Sequence, residues 1–170
     1  MDVAVDPVEG TNLVAKGLPN SIAVIGVAPR GCLLHAPDMY MEKIAVGPSA
    51  AGKISLDSSP AENIAVVARA AGKDIRDLVV VILDRPRHEK TISAIREAGA
   101  RVKLISDGDV AAAVSAAVAG SGVDMLLGIG GAPEGVLAAV ALKCLGGEIQ
   151  GRLCPENPAQ EERIKSMGIS

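Results

Sequence analysis

Asp6-Pro7-Val8-Glu9-Gly10-Thr11 sets two carboxylates three residues apart, with a hydroxyl beside them. On one tight turn both acids reach a single hard cation, and Mg²⁺ or Mn²⁺ takes oxygen ligands and often substrate phosphate as well. The plainer account is a capped turn, with Asp6 bonded to its own backbone and Glu9 solvated. Three later stretches carry chemistry of a matching kind. Asp84-Arg85-Pro86-Arg87-His88 places two guanidinium groups beside a helix start, which suits phosphate. A solvated turn, with arginine paired to Asp84 or Glu89, fits equally well. Ser106-Asp107-Gly108-Asp109 offers acids to sugar hydroxyls or a metal, or simply caps a helix. Gly128-Ile129-Gly130-Gly131-Ala132-Pro133-Glu134-Gly135 exposes backbone N–H groups with Glu134 at its mouth. Its spacing is neither that of a Walker A loop nor of a dinucleotide fingerprint. Tight packing is the other reading of those glycines.

The elements that must hold these residues follow from pattern. Val3 to Val5 reads as the end of a short buried strand that Pro7 terminates. Ser21 to Val27 reads as a second buried strand, and Cys32 to Leu34 as the start of a third. Tyr40, the sole aromatic, is either core-edge packing or a hydroxyl donor to a polar ligand. Val46 to Pro60 is loop-rich and marks a boundary, dividing residues 1–57, an α+β subregion with the acidic turn, from residues 58–170. Beyond it the chain alternates regularly. Helices are expected over 61–71, 89–98, 110–118, 133–145 and 157–167, and strands over 78–83, 102–105, 125–127 and 149–153. Three strand-helix units predict an α/β protein with a parallel or mixed sheet covered by helices. Their three loops then fall on one sheet edge, where ligands of such sheets collect.

Composition narrows the function. The 170 residues suit one domain or a large part of a bigger protein, and 49% are hydrophobic. Aromatics are 1%, so the core must be built from Ala, Val, Ile and Leu, and recognition of nucleic acid by base stacking is disfavoured. A net charge of −3 without a basic block points away from nucleic acid and anionic membranes. Cys32, Cys144 and Cys154 lack C-x-x-C spacing and read as reduced thiols of a cytoplasmic protein. Arginines, glycine-rich amides, acids and a hydroxyl together describe a site for a phosphorylated polyol, a class of ester for which metal ions are a natural catalyst.

Taken in order, DPVEGT, APDMYMEK, DRPRH, ISDGDV and GIGGAPEG resemble the class II fructose-1,6-bisphosphatases. REAGARV and the LGG-x-x-QG run after residue 144 resemble the cyanobacterial branch, which also acts on sedoheptulose 1,7-bisphosphate. The resemblance implies the layered α-β-α-β sugar-phosphatase fold of the lithium-sensitive phosphatases. It also implies hydrolysis of a sugar bisphosphate with Mn²⁺ or Mg²⁺ in gluconeogenesis or the Calvin cycle, by a homo-oligomer. Asp6, Glu9 and Glu134 become metal ligands, and Thr11 orients the attacking water. Gly10 and Thr11 contact the scissile phosphate. Tyr40, Arg85, Arg87, Asp107, Gly108, Asp109 and Gly131 hold the sugar and its second phosphate. Full-length members carry further acidic ligands before this motif, so the chain is expected to be a fragment of weak or no activity. A non-catalytic sugar-phosphate-binding fragment and an inositol-type monophosphatase are the alternatives.

Overall fold

The structure is a computed structural model that describes residues 1–169. A five-stranded mixed sheet forms its centre, in the order β5-β4-β6-β3-β7. Strands β4 (Val79–Leu83), β5 (Arg101–Ile105) and β6 (Met125–Gly131) run parallel. Strand β3 (Tyr40–Val46) runs antiparallel to both β6 and β7 (Glu148–Cys154). A separate antiparallel hairpin joins β1 (Asp2–Glu9) to β2 (Ile22–Ala28).

Two hydrophobic clusters cover the two faces of the sheet. On one face α2 (Pro60–Ala71) and α3 (Glu89–Glu97) bring Ile64, Val67, Ile92 and Ile95 against Ile44, Val80, Ile82 and Met125. On the other, α4 (Asp109–Ala117) and α5 (Ala132–Leu145) bring Ala112, Ala113, Ala116, Ala138 and Leu142 against Ala45, Val81 and Leu126. Small side chains let these two helices lie close on the strands. The hairpin packs outside α5, with Gly26 so close to Val140 that a Cβ there would stand 3.1 Å from its Cγ1. The layers therefore run helix, sheet, helix, hairpin.

Local signals account for the regular half. The unbroken apolar run of β4 is buried on both faces, as a central parallel strand requires. Helix α2 opens on a capping box between Ser59 and Glu62, with Pro60 in its first turn. Helix α3 turns Ile92 and Ile95 inward. The terminal helix α6 (Pro158–Ser166) is capped by Asn157 and buries no residue.

The first part departs from the pattern-based expectation. Val3 and Val5, expected in a buried strand, are 58% and 62% exposed, and Ile25 of β2 is 67% exposed. These side chains alternate onto the hairpin face turned away from α5, which nothing among the described residues covers. Pro7 does not end β1; it falls in the register shift between Asp6 and Glu9, where a missing N–H costs no ladder bond. Cys32 to Leu34 is irregular, and the next strand is β3. Gly128 to Gly131 continues β6 and pairs with Tyr40 to Lys43, where pattern suggested a loop after Leu127.

Candidate active site

The three expected loops do meet on one edge, because β5, β4 and β6 are adjacent and parallel. Tyr40 joins them from the opposite direction: it opens β3 and lies beside Gly131, the last residue of β6. The hairpin then delivers Glu9 across the start of α4.

Asp6 and Glu9 do not share a tight turn. Both belong to β1, and Asp6 Oδ1 accepts the Val8 N–H at 2.9 Å. Glu9 is not solvated; it is 5% exposed, and its Oε1 accepts the Val110 N–H in the first turn of α4 at 3.0 Å. Burial pushes the Glu9 carboxyl up to about 7, against the pull of that hydrogen bond, and the charges of Asp109, Asp6 and Glu134 push the same way. Four carboxylates thus sense one another across the hairpin, α4 and α5.

Lys43 is the cation paired with one of them, Asp109. It is buried in β3, and its Nζ lies 2.6 Å from Asp109 Oδ2 and 2.8 Å from the Gly131 carbonyl oxygen. The glycines at the end of β6 make this approach possible. A Cβ on Gly130 would overlap Asp109 Oδ2, and one on Gly131 would overlap Glu134 Oε2. Sequence reasoning gave Lys43 no role. Its signal was a charge inside an otherwise strand-like run, where a buried ammonium demands a partner.

The remaining site residues surround this centre. Gly10 takes a left-handed conformation (φ 81°) that ends β1 and starts the short helix α1 (Thr11–Ala15), leaving Thr11 exposed. Asp107 Oδ2 accepts both the backbone N–H and the side-chain Nδ2–H of Asn12, each at 3.1 Å. That contact ties α1 to the loop carrying Gly108 and Asp109, and Asn12 is another residue pattern did not reveal. Neither arginine pairs with the carboxylate of Asp84 or Glu89, although Arg85 donates to the Asp84 main-chain carbonyl at 2.9 Å. Arg85 donates to the Ser106 carbonyl at 2.8 Å and Arg87 to the Ile129 carbonyl at 2.8 Å. The Arg87 guanidinium also lies 4.6 Å from the centroid of the Tyr40 ring. Carbonyls leave both guanidiniums with their full charge for an anion.

The donor set suits a divalent cation in kind. All its members are hard oxygens, and a cation would offset the burial and the neighbouring charges that raise Glu9. Among the described residues, however, no three acidic, histidine or cysteine groups converge closely enough to hold one ion, so Asp6, Glu9 and Glu134 face one region without forming a finished cluster.

Residues 1–170 match the family described as bacterial fructose-1,6-bisphosphatase, glpX-encoded. A D-fructose 1,6-bisphosphatase class 2/sedoheptulose 1,7-bisphosphatase of Synechococcus sp. (strain JA-3-3Ab) is 56% identical over 99% of this chain and 52% of its own length. Its counterpart in Synechocystis sp. (strain ATCC 27184 / PCC 6803 / Kazusa) is 49% identical over the same shares. The chain spans about half the length of the curated relatives it matches.

Proposed function

The chain belongs to the glpX-encoded bacterial fructose-1,6-bisphosphatase family, and from that premise we propose that it carries the substrate half of a metal-dependent sugar bisphosphatase. The reaction is hydrolysis of the 1-phosphate of fructose 1,6-bisphosphate, with sedoheptulose 1,7-bisphosphate as a second substrate. The observation that carries this reading is the meeting, on one sheet edge, of a carboxylate group around Glu9 with the Arg85, Arg87 and Tyr40 group. One end suits a cation and the other a phosphate. The order helix, sheet, helix, hairpin supports the α-β-α-β arrangement of the lithium-sensitive sugar phosphatases.

Asp6, Glu9 and Glu134 would hold Mn²⁺ or Mg²⁺, which when bound neutralises phosphate charge and lowers the pKa of a water. The protein's own residues do the rest. Gly10 and Thr11 sit at the start of α1, where backbone N–H groups and a hydroxyl meet the scissile phosphate and orient the water. Lys43 spends its charge on Asp109 and the Gly131 carbonyl, fixing both rather than binding phosphate itself. Asp107, Gly108, Asp109 and Gly131 face the sugar, and Arg85, Arg87 and Tyr40 take the second phosphate. A cytoplasmic homo-oligomer is the expected setting. No helix among the described residues is long and apolar enough to cross a membrane.

The test is phosphate release from fructose 1,6-bisphosphate, with Mn²⁺, by a protein extended to the relatives' full length. Turnover that disappears in Glu9→Gln supports the proposal; no turnover by the extended wild type defeats it. A panel including inositol phosphates separates the inositol-type alternative. A non-catalytic sugar-phosphate-binding role has one observation on its side, the unfinished donor cluster. It predicts calorimetric binding of fructose 1,6-bisphosphate that is indifferent to Mn²⁺ and to Glu9→Gln.

A further inference from the structure

His88 ends the short 3-10 turn Pro86–His88 before α3 and is 1% exposed. Its ring stands between the carboxyl ends of β4 and β6. Nδ1 lies 2.7 Å from the Leu83 carbonyl oxygen, and Nε2 lies 2.8 Å from the Ile129 amide nitrogen. A carbonyl only accepts and an amide N–H only donates, so Nδ1 carries the proton and Nε2 is bare. Burial and the neighbouring Arg87 and Arg85 charges lower the pKa of His88 and keep the ring neutral. Glu42 and Lys43 of β3 face it across a small cavity.

The ring stands where sheet pairing stops. The β4–β6 ladder consists of Val80 with Met125 and Val81 with Leu126, and goes no further. Gly128 makes room for the imidazole: its φ is +141°, and a Cβ there would stand 3.2 Å from His88 Cε1. The adjacent Arg87 takes the other polar group of Ile129, its carbonyl. Both main-chain polar groups of Ile129 are therefore held by consecutive residues of one loop, and that loop sets Arg87 against Tyr40.

We propose that His88 is a positioning residue for the second-phosphate subsite: it wedges β4 apart from β6 and fixes Ile129, so that Arg87 and Tyr40 are aligned before an anion arrives. The assignment rests on the sugar-bisphosphate reading above. A histidine that merely fills the core would act through stability alone, without reference to Arg87.

The experiment uses the 170-residue chain in wild-type form and as His88→Gln, His88→Asn, Arg87→Gln and the His88→Asn/Arg87→Gln double variant. Fructose 1,6-bisphosphate binding is read by calorimetry, and the His88 ring by ¹⁵N NMR. Gln keeps an acceptor within reach of the Ile129 N–H and should bind within about threefold of wild type. Asn loses that reach and should bind about tenfold more weakly. In the Arg87→Gln background the same change should add less than about threefold, because His88 acts through Arg87. Unchanged binding in His88→Asn, losses that multiply in the double variant, or a ring protonated on Nε2 at neutral pH would each overturn the proposal. A wild-type chain that binds no sugar bisphosphate removes the site reading beneath it, and the positioning role falls with it.

Discussion

The hairpin and the central sheet meet the same problem, a strand rich in valine and isoleucine, with opposite outcomes. In β4 every such side chain is buried or nearly so, because helices cover both faces. In the hairpin one face rests on α5 while Val3, Val5, Ile25 and Val27 are exposed. Polar residues are inverted too. The sheet buries Lys43 and His88 and gives each two partners. The hairpin buries Glu9 with a single hydrogen bond and three like charges near it. The difference teaches that the sheet is a finished scaffold, whereas the hairpin is held for what it presents. A lone two-stranded ribbon is marginal, and this one draws its order from α5 and the Glu9–Val110 contact.

The comparison can be broken most severely at Lys43. Lys43→Met removes the buried partner of the half-buried Asp109 and should cost about 3 kcal/mol, read as a lower urea midpoint. The same substitution in the two regions should differ sharply. Val81→Thr sinks a hydroxyl into the sheet and should cost about 2–3 kcal/mol by thermal or urea unfolding. Glu9→Gln should act in the other direction. Its carboxyl is raised from 4.5 to about 7 in the fold, so its contribution to stability is full below 4.5 and lost as pH climbs through 7. Gln keeps an oxygen for the Val110 N–H, so the variant should be about 1–2 kcal/mol more stable than wild type at pH 8, with a flatter stability profile between pH 4.5 and 7. The smallest effect belongs to the uncovered face, where Val5→Thr should change stability by less than about 0.5 kcal/mol. A large loss there would mean that the face is covered in solution.

Sequence pattern was most legible where the cause of structure is local. The run Leu78 to Leu83, Ile64 and Val67 of the helix expected over 61–71, and Ile92 and Ile95 of α3 carry their burial in their own spacing. Strand β3 escaped because Glu42 and Lys43 interrupt its apolar character, and Lys43 is made tolerable by Asp109, sixty-six residues away in sequence. Val3 and Val5 misled for the converse reason: a strand's composition records that a face is suited to cover, and not whether a cover is present. The loop acids and arginines were found as chemistry, but their partners were not. Asn12 beside Asp107 and backbone carbonyls beside the arginines are pairings that only the folded chain creates.

Strand β3 enters the sheet against the direction of β6, so it reaches the site edge with its first residue. A functional group there is rigidly paired on its C-terminal side and joined to a connection, Pro29 to Met39, on the other. That connection keeps no strand register and is tied down near its ends, where the Gly31 and Leu33 N–H groups donate to Asp2 Oδ2 and the Met39 carbonyl accepts the Ala132 N–H. Tyr40 is therefore set by a strand on one side and by an irregular connection on the other, so a change in that connection reaches the site edge without passing through the sheet.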